Sequence, residues 1–189
     1  VEEGFVRFRA HCGGATTKGS YYPRSELRQT YNGGNNFWSF AHQQILTLTG
    51  KVSKVPNIKP EVSVAQIHGT VNDTLRIQYY GSKKEFQFKY NDKFTGSEKI
   101  SFDLNEEFTL KIEVNNGHVD VWFNGNQIVF DSEKWPFGFE SIDENGYFKV
   151  GAYTQSSMFL RQFKDKYDES CNPEDYGEVL IKDLNLLEN

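Results

Sequence analysis

Lys111-Ile112-Glu113-Val114-Asn115-Asn116-Gly117-His118-Val119-Asp120-Val121-Trp122-Phe123-Asn124-Gly125 holds two runs of alternating apolar and polar residues joined by Asn115-Asn116-Gly117. A strand points successive side chains to opposite faces, so Ile112, Val114, Val119 and Val121 share one side and pack inward. Asn-Gly tolerates the positive φ that a tight hairpin needs. The segment reads as a β-hairpin, and its pattern recurs along the chain. Strand-like runs fall near 4–10, 24–30, 37–50, 62–69, 73–80, 84–90, 99–103, 107–115, 118–124, 127–131, 146–155 and 177–187. Turn signals such as Gly13-Gly14, Gly33-Gly34, Asn124-Gly125-Asn126 and Glu144-Asn145-Gly146 separate them. Many strands so spaced predict an all-β fold, a two-sheet antiparallel sandwich or jelly roll. Only Ser156 to Glu169, where Met158, Phe159, Arg161, Gln162 and Phe163 break alternation, admits a helical turn.

The 189 residues suffice for one domain with a full core, and 1–189 is read as a single domain. Aromatics at 15%, with 10 Tyr and 16 Phe against one Met, favour sheet over helix bundle. A formal charge of -5 argues against a nucleic-acid partner, although a local cationic groove on an acidic body can still focus its field on an anion. No apolar run is long enough to span a bilayer, so no membrane partner is expected. Val1-Glu2-Glu3-Gly4-Phe5 has neither Met nor a signal pattern, and the expectation is a processed product or a piece of something longer.

Cys12 and Cys171 could close two ends of a sandwich, but they carry no framework spacing and reduced thiols are expected. Neither has a second Cys or His at zinc-ligand spacing. The acidic stretch from Lys164 to Glu178 reads as a solvated loop. Calcium among Asp165, Asp168, Glu169, Glu174 and Asp175 is the alternative there, weakened by the lack of EF-hand spacing.

Three strings put polar side chains at every second position: Arg24-Ser25-Glu26-Leu27-Arg28, Gln66-Ile67-His68, and Tyr147-Phe148-Lys149-Val150-Gly151-Ala152-Tyr153-Thr154-Gln155. Leu27, Ile67, Phe148, Val150 and Ala152 then face a core. If the three strands share a sheet, the opposite face is a groove of cations, an amide, an imidazole and phenols, suited to a polymer of carboxylates. Arg76, Gln78 and Tyr80 alternate with Leu75, Ile77 and Tyr79 and would extend that groove. Each string has a plainer reading. Arg24-Glu26-Arg28 alone is an ordinary salt-bridge ladder, and His68 alone an ordinary histidine; Gln66 on the same face as His68 tips the balance. Glu26 is structural either way, holding an arginine in position. Trp38, Trp122 and Trp135, flanked by hydrophobics, read as core. His11, His42 and His118 read as structural.

Together the strings resemble the signature of polysaccharide lyase family 7 alginate lyases and their glucuronan-lyase relatives. The resemblance extends to Gly14-Ala15-Thr16-Thr17-x-Gly19-Ser20 ahead of Pro23-Arg24, to Val55-Pro56, and to the closing Val179-Leu180-Ile181-Lys182-Asp183-Leu184. Gln29 departs from it, standing where an acidic residue often follows the second arginine. The resemblance implies a jelly roll that cleaves a polyuronate by β-elimination, with Arg24, Gln66, His68 and Tyr153 in the catalytic places. Arg28, Lys149, Tyr147 and Gln155 take places along the groove, joined by Arg76 and Tyr80 from the alternation above. No cofactor is required. A narrower likeness to the carboxyl-terminal lyase domain of a chlorovirus virion protein implies a monomer located extracellularly or on a virion, acting on algal cell wall.

The chemistry explains the residue types. The C5 proton of a uronate is scarcely acidic beside a charged carboxylate, so Arg24 and the amide hydrogens of Gln66 neutralise it. In β-linked residues C5–H and the C4 oxygen lie on one side, and Tyr153 can serve as base and then acid. His68 orients Tyr153, or acts as base where α-guluronate demands anti geometry. A non-catalytic carbohydrate-binding module is the alternative on the same architecture. A hydrolase is disfavoured, because the groove strings offer only Glu26 where two carboxyls are needed.

Overall fold

The computed structural model describes residues 4–17, 20–30, 34, 37–91, 97–159 and 170–188. Among them there are fourteen strands and no helix. They are β1 (Val6–His11), β2 (Arg24–Arg28), β3 (Trp38–Ser39), β4 (Gln44–Lys54), β5 (Glu61–His68), β6 (Asp73–Tyr80) and β7 (Glu85–Tyr90). There follow β8 (Lys99–Ser101), β9 (Glu107–Asn115), β10 (His118–Phe123), β11 (Asn126–Gln127), β12 (Phe139–Glu140), β13 (Asn145–Thr154) and β14 (Tyr176–Glu188). Every pairing is antiparallel. One sheet runs β1-β14-β4-β9-β10-β11 with β12 beside β10; the other runs β2-β13-β5-β6-β7-β8 with β3 beside β13.

The two sheets form the expected sandwich because each strand has one apolar face. Ile112, Val114, Val119 and Val121 face inward from β9 and β10, against Ile67, Leu75, Ile77, Phe86 and Phe148 of the second sheet, all buried. Rings of Phe86, Phe108 and Phe123 meet at centroid distances of 5.1 Å, 4.9 Å and 5.2 Å, adding specific aromatic packing to area burial. Gly50 on β4 is required for this packing, since a Cβ there would lie 2.5 Å from the Phe108 ring. The hairpin turns take the geometry their residues favour: Asn116 and Gly117 have φ of 50° and 84°, Asn124 and Gly125 of 50° and 78°.

Several boundaries differ from expectation. The run 37–50 is two strands, because His42 N donates to Ser39 O in a tight turn that buries Phe40 between them. Of the run 127–131 only Gln127 belongs to a strand, beside Asn126, while Asp131 makes an isolated bridge to Trp135; β12 gave no periodic signal because it is two residues long behind Gly138. Ser156–Phe159 is non-helical, while residues 160–169 lie outside the described residues. Leu27 was expected inside but is 50% exposed, since β2 is an edge strand. Trp38 is core, whereas Trp122 lies on the outer face of its sheet, half-buried under the Lys111 ammonium 4.2 Å from its ring.

The cysteines also depart from expectation: Cys12 and Cys171 form a disulfide across 159 positions of sequence. Backbone pairing continues past β1 and β14, with Cys12 N donating to Asp175 O and Gly13 N to Pro173 O. That ladder brings the thiols together, and no local spacing could announce it. A cross-link closing so long a loop stabilises by roughly 2–5 kcal/mol. The Cys12→Ser, Cys171→Ser double variant is expected to lose that much in denaturant unfolding; an unchanged midpoint would show that the bond contributes nothing.

Candidate active site

Three neighbouring strands build the site, with β13 between β2 and β5. Arg24 lies opposite Tyr153 and Arg28 opposite Lys149 on one edge of β13. On the other edge Gln66 lies opposite Lys149 and His68 opposite Tyr147. An extra residue on β13 between Val150 and Tyr153 sets Tyr153 opposite Ser63 rather than Val62. Next in the sheet, β6 places Arg76 opposite Gln66. The apolar partners Leu75, Ile77, Ile67, Phe148 and Ala152 face the core, so the alternation aims the polar residues at the opposite face.

That face carries a cleft of about 530 Å³ lined by Ser20, Arg24, His68, Arg76, Lys149 and Tyr153, with Asp73, Tyr147 and Val71 at its sides. The Arg24 guanidinium covers the Tyr153 ring at 4.0 Å, and that of Arg28 covers the Tyr147 ring at 3.8 Å. His68 stacks on Tyr147, centroids 5.3 Å apart. A comparable cleft of about 540 Å³ on the outer face of the first sheet is lined by Thr47, Thr49, Thr109 and Trp122 and has no imidazole or phenol.

Glu26 organises the floor. It accepts a hydrogen bond from Gln66 Nε2 and pairs with Arg24 at 3.6 Å. The expectation that it holds an arginine is met, and it also orients the amide. Because a carboxylate only accepts, Gln66 must turn its nitrogen to Glu26, leaving one amide hydrogen and Oε1 for other partners. The expectation that both amide hydrogens face a ligand is corrected to that extent. Gln66 Oε1 and Arg24 Nε are buried polar atoms without a hydrogen-bond partner among the described residues. Such atoms at a cleft floor are what a polar ligand satisfies.

Burial raises the Glu26 pKa above the usual carboxylate range, with Lys149, Arg24 and the Gln66 bond pulling it back. Burial lowers the Lys149 ammonium, opposed by Glu26. Burial likewise lowers the His68 imidazole, and Lys149 and Arg24 push the same way. His68 Nδ1 lies 2.7 Å from Gly69 O; the carbonyl can only accept, so Nδ1 carries the hydrogen and Nε2 is the free acceptor. Burial raises the Tyr147 phenol, partly countered by Arg28 and Arg24.

Arg24, Gln66, His68, Tyr153, Tyr147, Lys149 and Arg76 thus converge. Arg28 reaches the group through Tyr147. Gln155 is buried behind Arg76, accepting its hydrogen bond at 3.2 Å, and Arg76 also pairs with Asp73 at 2.6 Å. Tyr80 does not line the cleft; it stands at the far end of β6, beside Lys83. Asp73 and Ser20 were not singled out from sequence, since each falls in a turn or at a strand end where alternation says nothing. Gln29 supports the site from below. Its Oε1 accepts from the Trp38 indole at 2.6 Å and from Phe148 N at 3.1 Å, tying β13 to β3.

Of the calcium candidates, Asp165, Asp168 and Glu169 lie outside the described residues, and the Asp175 carboxylate is taken up by Lys54, Asn57 N and Tyr176 N. The one group of three possible metal ligands among the described residues is Cys12, Cys171 and Asp175. Its sulfurs are committed to the disulfide.

A family model described as alginate lyase matches residues 1–188. The solved structure of alginate lyase AlgAT5 from polysaccharide lyase family 7 is similar at 28% identity and TM-score 0.80, covering 98% of this chain and 79% of its own. The alginate lyase from Corynebacterium sp. is similar at 27% identity and TM-score 0.81, covering 98% and 78%. The family 7 alginate lyase A1-II′, solved in complex with substrate (GGMG), shares the fold at 20% identity and TM-score 0.75, covering 100% and 80%. No match was found among curated proteins.

A carboxyl whose folded pKa is raised loses stability as pH climbs from its unfolded value through its folded one, because the unfolded chain gives up the proton first. Glu26→Gln is therefore expected to unfold at higher temperature than the parent at pH 7, and to lose that advantage below about pH 4.3. Turnover is expected to fall, because Arg24 loses its counter-charge. A variant less stable at pH 7 would mean that the cations outweigh burial.

Proposed function

The chain belongs to the alginate lyase family and is a polysaccharide lyase; we propose that it cleaves a β-1,4-linked polyuronate by β-elimination at the Arg24, Gln66, His68 and Tyr153 cleft. The observation that carries this reading is the convergence of a guanidinium, an imidazole and a phenol from β2, β5 and β13 on one cleft, with the buried Gln66 amide on the same strand as His68, between Lys149 and Arg76.

A uronate carboxylate meets Arg24 and the remaining amide hydrogen of Gln66, which neutralise it and stabilise the enolate-like charge that develops. Tyr153 takes the C5 proton. The C4–O bond breaks with its electron pair going to the glycosidic oxygen, a C4–C5 double bond forms, and Tyr153 returns the proton to the departing oxygen. His68, with Nε2 free, polarises Tyr153, or acts as the base itself on an α-guluronate unit. Arg76 and Lys149 hold neighbouring carboxylates. These groups neutralise charge without a metal, and a monomer is the working unit in this reading.

Glucuronan as the preferred polymer rests on the likeness of the three strings to glucuronan lyases, whereas the solved relatives are named alginate lyases. The setting that goes with this reading is extracellular cell wall, reached by a free or virion-borne enzyme, and a disulfide suits an oxidising compartment.

Glucuronan, polymannuronate and polyguluronate are each mixed with the protein and followed by ultraviolet absorbance of unsaturated uronate ends. Absorbance is expected, greatest on a β-linked polymer, and unchanged after treatment with a chelator. Tyr153→Phe and His68→Ala are expected to fall by about 10²-fold or more with folding intact. Reducing ends without absorbance would mean a hydrolase, and binding without either would mean a carbohydrate-binding module.

A further inference from the structure

Ser20 lies just ahead of β2, and its Oγ stands between two groups on which elimination turns. Arg24 NH2 donates to it at 2.6 Å, and Tyr153 Oη lies 3.2 Å away. The Tyr22 carbonyl oxygen lies 3.3 Å from the same atom. A hydroxyl has one proton and two lone pairs, and a guanidinium can only donate, so Arg24 occupies one lone pair. The Ser20 proton then has two acceptors within reach, Tyr22 O and Tyr153 Oη.

Which of them it meets depends on Tyr153. While Tyr153 is a neutral phenol, its O–H can donate to the second lone pair of Ser20, and Ser20 gives its own proton to Tyr22 O. Once Tyr153 is a phenolate, it is the stronger acceptor, and the Ser20 proton turns to it. The bond from Arg24 polarises Ser20 and strengthens that donation. We propose that Ser20 is a positioning residue that follows the protonation state of Tyr153, accepting from the phenol and donating to the phenolate. The proposal rests on the reading of Tyr153 as the proton-transfer group.

In the reaction the phenolate takes the C5 proton, and that same proton leaves on the glycosidic oxygen, so Tyr153 begins and ends as phenolate. Ser20 keeps its proton throughout and only rotates. The same hydroxyl thus serves both halves of the transfer, without the large rearrangement that two separate partners would need.

Charged and titratable groups also face Tyr153: Arg24 and Glu26 on β2, Lys149 on β13, His68 on β5, and Arg76 and Asp73 on β6. All remain when Ser20 is changed. The test is kcat and KM against pH for the parent, Ser20→Ala, Ser20→Thr, Ser20→Val and Tyr153→Phe, the Thr and Val variants differing only in the hydroxyl. Loss of a hydrogen bond to a charged group is expected to move the ascending limb of kcat up by about one pH unit in Ser20→Ala and Ser20→Val. That is about a tenfold loss below the limb, with recovery above it and KM unchanged. Ser20→Thr is expected to keep the parent limb. An unmoved limb, or a loss confined to KM, overturns the proposal and makes Ser20 a substrate contact. Should Tyr153→Phe stay active, it is the underlying reading of Tyr153 that fails; inactive Tyr153→Phe with an unmoved Ser20→Val limb sinks the Ser20 proposal alone.

Discussion

Strand β13 is hydrogen-bonded along both edges, to β2 and to β5, while one of its faces lies on the core. A slip of one residue in either pairing would turn Phe148 and Val150 to solvent and bury Tyr147 and Lys149 against phenylalanines. The core therefore enforces the register, and the register assembles the cleft. Gln66 and Lys149 meet because the buried Ile67 pairs with the buried Phe148; Arg24 and Tyr153 meet through the β2 ladder, which sets the half-exposed Leu27 opposite the buried Val150. Gln29 reinforces the same strand from below, since its carbonyl oxygen serves both the Trp38 indole and the Phe148 amide. Precision in the polar face is thus inherited from packing in the apolar one, as a preorganised site requires.

Charge is distributed against the average of the chain. A body with formal charge -5 presents Arg24, Arg28, Arg76 and Lys149 around a cleft in which Glu26 and Asp73 are the opposing carboxylates. The excess of cations focuses the field where a polyanion would lie. Glu26 is the expense of that arrangement: burial disfavours its charge, yet the charge orients Arg24 and Gln66 together. Removing water from Lys149 and His68 has a parallel effect, making both readier to exist unprotonated.

The period-two alternation made the sheet, its inward valines and the polar faces of β2, β5, β6 and β13 legible from residues alone. The Asn-Gly turns, at positive φ, marked their hairpins equally well. Legibility failed where the signal is not local. Cys12 and Cys171 are joined by a ladder that runs beyond the strands, and neither neighbourhood encodes the other. Leu27 and Trp122 look apolar in sequence, but whether an apolar side chain is covered depends on the strand's place in its sheet. Tyr80 keeps the alternation of Arg76 and Gln78, and only the length of β6 carries it away from the cleft.

Alternation of side chains is a property of neighbours in the chain, so fold class, strand faces and the kind of chemistry on each face were written in order along the residues. Which faces become adjacent is a property of pairing between distant strands. The stacking of Arg24 on Tyr153, the turn of Gln66 toward Glu26 and the approach of Ser20 to the Tyr153 phenol all come from that pairing. Each is a contact of a few ångströms across segments tens of residues apart, and it exists only once a shared core holds those segments in register.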